Sequence, residues 1–275
     1  MPDAIPPTAL ATRRPVLAYF MLVFVLSWCC ALAVVAPPIL SGEAVPKVMG
    51  LVLFPVMLLG PSLAGLVLTW TNDGRSGWRD LWCRMLRWRV GARWYLPLVI
   101  PPGLILMVLF CLRTFVSPLF APNFFLMGAL FGIPAGLFEE IGWTGFALPR
   151  MIREHDALTP AILLGLLWGL WHLPAINFLG AATPHGAYWL VYFLAFAAAM
   201  TAIRVLITWT YVNTKSVLLS QLMHISSTSS LVVFSPGRIS PADEASWYAV
   251  YAAALWLCVA LVALTHGRTL SRHRD

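Results

Sequence analysis

Charge is what this sequence has least of. Only 11% of its 275 residues are Asp, Glu, Lys or Arg, while 60% are hydrophobic; a soluble domain carries about 25% charged residues. So few charges cannot cover a water-facing surface, which excludes reading the length as one or two soluble domains. Lipid is the solvent for most of the chain. The eighteen basic residues exceed the eleven acidic ones and leave a net charge of +7. That excess is not a nucleic-acid footprint, because the basic residues fall in short loops between apolar runs. An orientation signal and contact with anionic lipid account for it better. Cysteine is sparse too. Cys29, Cys30, Cys83, Cys111 and Cys258 include no pair at metal-ligand spacing and read as small apolar residues of helices. Low-complexity segments and convincing internal repeats are lacking, and no Ser or Cys stands in an evident nucleophile motif.

What is present is a series of apolar runs. A bilayer core about 30 Å thick takes roughly 20 apolar residues per helix. Eight runs qualify: Val16 to Ala36, Val48 to Trp70, Tyr95 to Leu112, Phe124 to Leu148, Pro160 to Leu179, Tyr188 to Trp209, Ser216 to Phe234 and Trp247 to His266. The first follows Arg13 and Arg14 as a signal peptide would, but it is too long and lacks a clear cleavage site, so it reads as a retained span. The expected fold is an all-α polytopic membrane protein. Residues 1–15 form a cytoplasmic tail, 16–266 a single transmembrane domain, and 267–275 a second, basic cytoplasmic tail.

With both termini inside, the cytoplasmic side holds Arg13, Arg14, Arg75, Arg79, Arg84, Arg87, Arg89, Arg93, Arg150, Arg153, Arg204, Lys215, Arg268, Arg272 and Arg274. The outside holds only Lys47, Arg113 and Arg238. Fifteen against three is a strong positive-inside bias for a multi-pass protein of the cell membrane. The segment Trp78 to Trp88 is too charged to cross. Trp78, Leu81, Trp82, Met85 and Leu86 share one helical face, with Arg79, Arg84 and Arg87 off it. This predicts an amphipathic helix at the inner interface, anchored to anionic headgroups.

Of the eleven acids, only Glu139 and Glu140 fall inside hydrocarbon. A carboxylate there costs several kcal/mol (about 2.5–3.5 on insertion scales for Asp), so an intramembrane acid marks a functional site by default. His172 and His224 are likewise embedded in apolar runs. Glu140, His172 and His224 lie ten, twelve and nine residues from the cytoplasmic ends of their helices, which is roughly 15, 18 and 14 Å of depth. Three helices of alternating direction therefore put their polar groups in one layer. Glu140 and Thr144, Trp168 and His172, and His224 and Thr228 are i,i+4 pairs sharing a face. Gly132, Pro134 and Gly136 permit close packing or a kink before the glutamates.

A glutamate in such a site can act as general base on water. Histidine can orient that water or stabilise an oxyanion, as can a Thr hydroxyl. Water-mediated hydrolysis fits these residue types better than acyl-enzyme chemistry. The set Glu140, His172 and His224 would equally suit zinc with an open position, so residue types alone leave the metal question open. Buried Glu and His also make proton relays, so a proton-coupled transporter is a further reading. The absence of an inverted repeat counts against it.

The run Phe138-Glu139-Glu140-Ile141-Gly142-Trp143-Thr144-Gly145-Phe146-Ala147-Leu148-Pro149-Arg150 resembles the first motif of the CAAX protease and bacteriocin-processing family, the type II CAAX endopeptidases and their bacterial relatives. Trp168-Gly169-Leu170-Trp171-His172-Leu173-Pro174 resembles its second motif, and Ser216-Val217-Leu218-Leu219 leading to His224 and Thr228 its third. The resemblance covers about residues 81–230. It implies eight helices around a conical intramembrane cavity and proteolysis by activated water. Glu139 and Glu140 take the paired-glutamate positions, with Glu139 as base. His172 orients the water, while His224 and Thr228 hold the oxyanion-stabilising positions. The substrate implied is a peptide or protein, lipidated or membrane-embedded. Three departures stand out. Thr144 replaces an Arg, removing a positive charge beside the glutamates. Trp168 replaces a Phe, a mild aromatic exchange. Thr228 replaces an Asn, a weaker single donor. The first and last favour a second reading, a non-enzymatic scaffold or immunity-type binding protein on the same fold.

Overall fold

A computed structural model describes residues 8–43, 45–46, 49–152, 156–179, 185–237 and 239–271. The chain is all-α. Its α-helices are α1 (Thr8–Arg13), α2 (Pro15–Leu40), α3 (Gly50–Met85), α4 (Ile100–Phe115), α5 (Ala129–Gly142), α6 (Leu148–Met151), α7 (Leu158–Trp171), α8 (Trp189–Thr214), α9 (Val217–Phe234) and α10 (Pro241–His266). Among the described residues, seven helical stretches are long and apolar enough to cross a membrane. The chain is a multi-pass membrane protein. Lys47, Val48, Arg153, Arg238, Arg272, Arg274 and residues 1–7 of the expected tail lie outside the described residues.

The fourth expected span, Phe124 to Leu148, does not stand among the seven. Its helix begins at Ala129 and is interrupted by a π-helical turn over Trp143–Ala147 before α6 resumes. Such turns recur at functional sites. Pro149 contributes to the irregularity, because it has no N–H to give the carbonyl of Gly145 one turn back. The Arg84 guanidinium donates to that oxygen at 3.0 Å.

Arg84 also corrects the interfacial reading of Trp78 to Trp88. The segment is helical to Met85, but it continues α3 across a break at Gly74, whose φ of 59° favours glycine. Arg84 turns inward, donating to the Tyr211 hydroxyl at 3.1 Å as well as to Gly145. Arg87 lies at 3.5 Å from the Thr214 carbonyl, and its own carbonyl accepts from Ser216 at 2.6 Å. Trp82 and Leu86 face outward. Two of the three arginines expected on headgroups thus fasten this segment to the bundle.

α8 lies at the centre, packed against α7, α9 and α10. Every residue from Ala199 to Thr208 on it is buried, the pattern of a helix enclosed on all sides. A tight link follows, with Lys215 left-handed at φ 54° and Ser216 capping α9 through the amide of Leu219 at 3.1 Å. α9 therefore folds straight back. Arg204, eleven residues before Lys215, and His224, nine after it, return to similar depths of roughly 16 and 14 Å.

Small residues set the remaining contacts. Gly128, Gly132 and Gly136 make a ridge on α5 and the turn before it; a Cβ on each would lie 2.6 Å from Val232, 2.1 Å from Ser229 and 2.5 Å from Ile225. α5 thus meets α9 nearly backbone to backbone, the small-residue packing that replaces the hydrophobic effect between helices in lipid. Gly165 and Gly169 do the same for α7 on α8, facing Thr201 and Ala197. At Gly136 the obstacles include backbone, the Gln221 carbonyl at 2.6 Å and the Ile225 amide at 2.7 Å. Gly136→Ala is expected to destabilise by about 1–3 kcal/mol, measured by thermal unfolding in detergent. Gly103→Ala, with open space around it, is the control that leaves the midpoint unchanged.

Candidate active site

The α5–α9 ridge and the α8–α9 turn bring the intramembrane polar residues together. Glu139 and Glu140 end α5, and are 2% and 0% exposed. Glu140 is saturated. Its Oε1 accepts from Arg204 Nη2 at 2.8 Å and contacts His224 Nδ1 at 2.8 Å. Its Oε2 accepts from Arg204 Nη1 at 2.9 Å and from the Thr144 hydroxyl. A carboxylate offers about four lone-pair sites, and all four are occupied.

Glu139 is held differently. Its Oε2 accepts from the indole N–H groups of Trp168 at 2.7 Å and Trp143 at 3.2 Å. Oε1 accepts no hydrogen bond from a described residue. Trp168, from α7, is the hub of the cluster. Its N–H holds Glu139, its ring lies 4.4 Å beneath the Arg204 guanidinium, and its centroid is 4.9 Å from His224 and 5.4 Å from His172. A phenylalanine would pack there but could not donate. The exchange read from the sequence as mild therefore adds a hydrogen bond to a glutamate.

The histidine tautomers follow from their partners. His172 Nδ1 lies 2.8 Å from the Trp168 carbonyl, which can only accept. Nδ1 therefore carries the proton, and Nε2 of the neutral ring is an acceptor. His224 Nδ1 donates to Glu140, because a carboxylate oxygen accepts. His172 is the one half-buried member of the four ionisable residues singled out from the sequence; His224 is 1% exposed.

Glu139, Glu140 and His224 are thus brought into one cluster, and His172 joins it through Trp168. Thr228, one turn beyond His224, is half-buried and makes no hydrogen bond with the cluster among the described residues. The zinc set is not assembled. Among the described residues no three His, Cys, Asp or Glu side chains converge as metal ligands. Glu140 spends both oxygens on a guanidinium, a hydroxyl and an imidazole, so Glu140, His172 and His224 do not fit a resident zinc ion. Glu139 and Glu140 do not line the open cleft on the Arg84 side of the bundle. That cleft, about 480 Å³, is bordered by Asp80, Arg84, Arg150 and Tyr211.

The residue missed from sequence is Arg204. Counted above with cytoplasmic loop charges, it is instead fully buried and roughly 15 Å inside α8 from its end at Thr214. The charge count becomes fourteen against three. The signal was available as a stripe, Thr201, Arg204, Thr208 and Tyr211, at helical spacing on an otherwise apolar helix. The expectation that Thr144 leaves the glutamates without a positive neighbour is overturned.

Residues 121–229 match the family model described as type II CAAX prenyl endopeptidase Rce1-like. A curated protein of Methanococcus maripaludis, named CAAX prenyl protease 2, is 31% identical over 109 residues, which is 38% of this chain and 38% of that protein. The chain thus spans under two fifths of the length of the curated relative it matches.

Proposed function

We propose that the chain is an intramembrane endopeptidase hydrolysing a peptide bond with water activated by Glu139, a reading supported by the similarity of residues 121–229 to the Rce1-like type II CAAX prenyl endopeptidases. One observation carries the reading. Of two adjacent buried glutamates, Glu140 has every acceptor site filled, while Glu139 keeps Oε1 for a water proton. In this scheme Glu139 takes the proton as the water oxygen attacks the carbonyl carbon, and returns it to the leaving amine nitrogen. His172 Nε2 accepts a hydrogen bond from the attacking water and aims it. His224, its ring held by Glu140, stabilises the oxyanion. The two indoles hold Glu139 in one orientation. General base catalysis of this kind contributes about 10²- to 10⁴-fold.

The substrate reaches the site from the cytoplasmic leaflet in this reading, with both termini cytoplasmic, as the remaining charge bias favours. His172, half-buried, marks the side of approach. The M. maripaludis protein's name points to prenylated peptides, and a lipidated or membrane-embedded peptide is the substrate class proposed here.

The test uses the full chain in detergent with a panel of quenched fluorescent peptides, prenylated and plain, with and without a strong chelator. Cleavage is expected, at an unchanged rate in chelator, since the donor set does not fit zinc. Loss of cleavage in chelator, restored by zinc, would return the site to the metalloprotease class. No cleavage across the panel would favour the scaffold reading, and proton-driven flux in liposomes the transporter.

A further inference from the structure

Arg204 sits where no loop charge can be. Its helix is buried on all sides from Ala199 to Thr208, and its guanidinium is fully enclosed. A long basic side chain near a membrane surface keeps its head in water; this one turns into the bundle. Both Nη atoms are spent on the two oxygens of Glu140, at 2.9 and 2.8 Å, while Nε is buried with no partner among the described residues. The fork-to-fork geometry thus sets the guanidinium's orientation, even with one donor left unmade. Trp168 closes the other face.

Position 144 meets the same carboxylate. The Thr144 hydroxyl donates to Glu140 Oε2, the oxygen that also accepts from Arg204 Nη1, and Nη1 lies 3.4 Å from that hydroxyl. An arginine at 144, one turn along the helix from Glu140, would reach the space that the Arg204 guanidinium fills. Room and charge there suffice for one guanidinium.

We propose that Arg204 is the positioning residue of this site, and that residues 144 and 204 form an exchangeable pair in which α8 supplies the cation that the glutamate motif lacks. Arg204 fixes Glu140 through two hydrogen bonds, one to each oxygen. Glu140 in turn holds Nδ1 of His224 and so aims the imidazole. Arg204 therefore acts through Glu140 and His224 and touches no reacting atom. The positioning role rests on the endopeptidase reading; the exchange of residues 144 and 204 is independent of it.

The test is a double-mutant cycle on the full chain in detergent: wild type, Arg204→Thr, Thr144→Arg and the double variant, with Arg204→Lys beside them. Thermal midpoint, yield of monodisperse protein, kcat and KM are read for each. Arg204→Thr is expected to lower the midpoint and to cut kcat by on the order of 10²-fold, the scale of losing an oxyanion donor, with KM little changed. Thr144→Arg lowers the midpoint by crowding two guanidiniums. The double variant recovers the midpoint and most of kcat, far beyond the product of the single effects. Arg204→Lys keeps the charge without the fork, so it recovers the midpoint more than kcat. Should Arg204→Thr fail to fold, recovery of monodisperse double variant is the same result in another readout. A double variant no better than the worse single, or equally unable to fold, overturns the exchange. A rescued fold without rescued kcat, in a wild type that cleaves, overturns the positioning role. Wild type that cleaves nothing defeats the endopeptidase reading and with it the positioning role, while the midpoints and yields still decide the exchange.

Discussion

Glu139→Gln protein is expected to fold with the wild-type thermal midpoint and to show no measurable cleavage. The amide matches the carboxylate in shape. Its oxygen can still accept from the Trp168 and Trp143 indoles, which are the contacts that hold this side chain. No cation pairs with Glu139 in the described structure, so removing its charge leaves no buried partner charge behind. What the amide cannot do is take a proton from water. If Glu139 is the base, the loss is about 10²- to 10⁴-fold. The comparison is a cleavage assay on matched amounts of folded protein, read against the midpoints of both forms. Activity in the variant equal to wild type would remove Glu139 from the mechanism.

Scarcity made much of this cluster legible. In a chain with eleven acids and few intramembrane polar groups, Glu139, Glu140, His172 and His224 stand out, and alternating helix direction places them at one depth. The structure brings them together. Arg204 was hidden by the same logic, because a basic residue five positions from the expected helix end at Trp209 counts as a loop charge. α8 in fact runs on to Thr214, so the charge lies a turn and more deeper than a hydropathy boundary suggests. Arg84 was hidden for a different reason. An amphipathic pattern shows which face is apolar but not whether lipid or protein lies against the polar one, and the carbonyl left open opposite Pro149 draws this arginine inward. The zinc set shows the limit of residue types. Two histidines and a carboxylate were present, but the oxygens of Glu140 are committed to partners, one of them an arginine on another helix.

Glu140→Ala is expected to have the opposite profile to Glu139→Gln, failing first in folding. Deleting the Glu140 carboxylate leaves the Arg204 guanidinium enclosed at 0% exposure with no counter-charge, and deprives Thr144 and His224 of their shared acceptor. Breaking a buried ion pair from one side costs about 3–5 kcal/mol, because the orphaned charge stays desolvated. For a membrane bundle held by small-residue contacts, that is a large share of the margin. The variant should give little monodisperse protein or a strongly lowered midpoint, before any assay of cleavage. Glu140→Gln should fall between, since the amide oxygen still accepts from one Nη while its NH₂ group opposes the other. Combining Glu140→Ala with Arg204→Met removes both charges together. Replacing both charges avoids the orphaned guanidinium, so the double variant should be more stable than Glu140→Ala alone, though below wild type because Thr144 and His224 still lack their shared acceptor. It should not recover cleavage, because nothing then orients His224. A Glu140→Ala protein as stable as wild type would show that the Arg204 charge finds another partner, and that the clamp drawn here is not what holds the centre of the bundle.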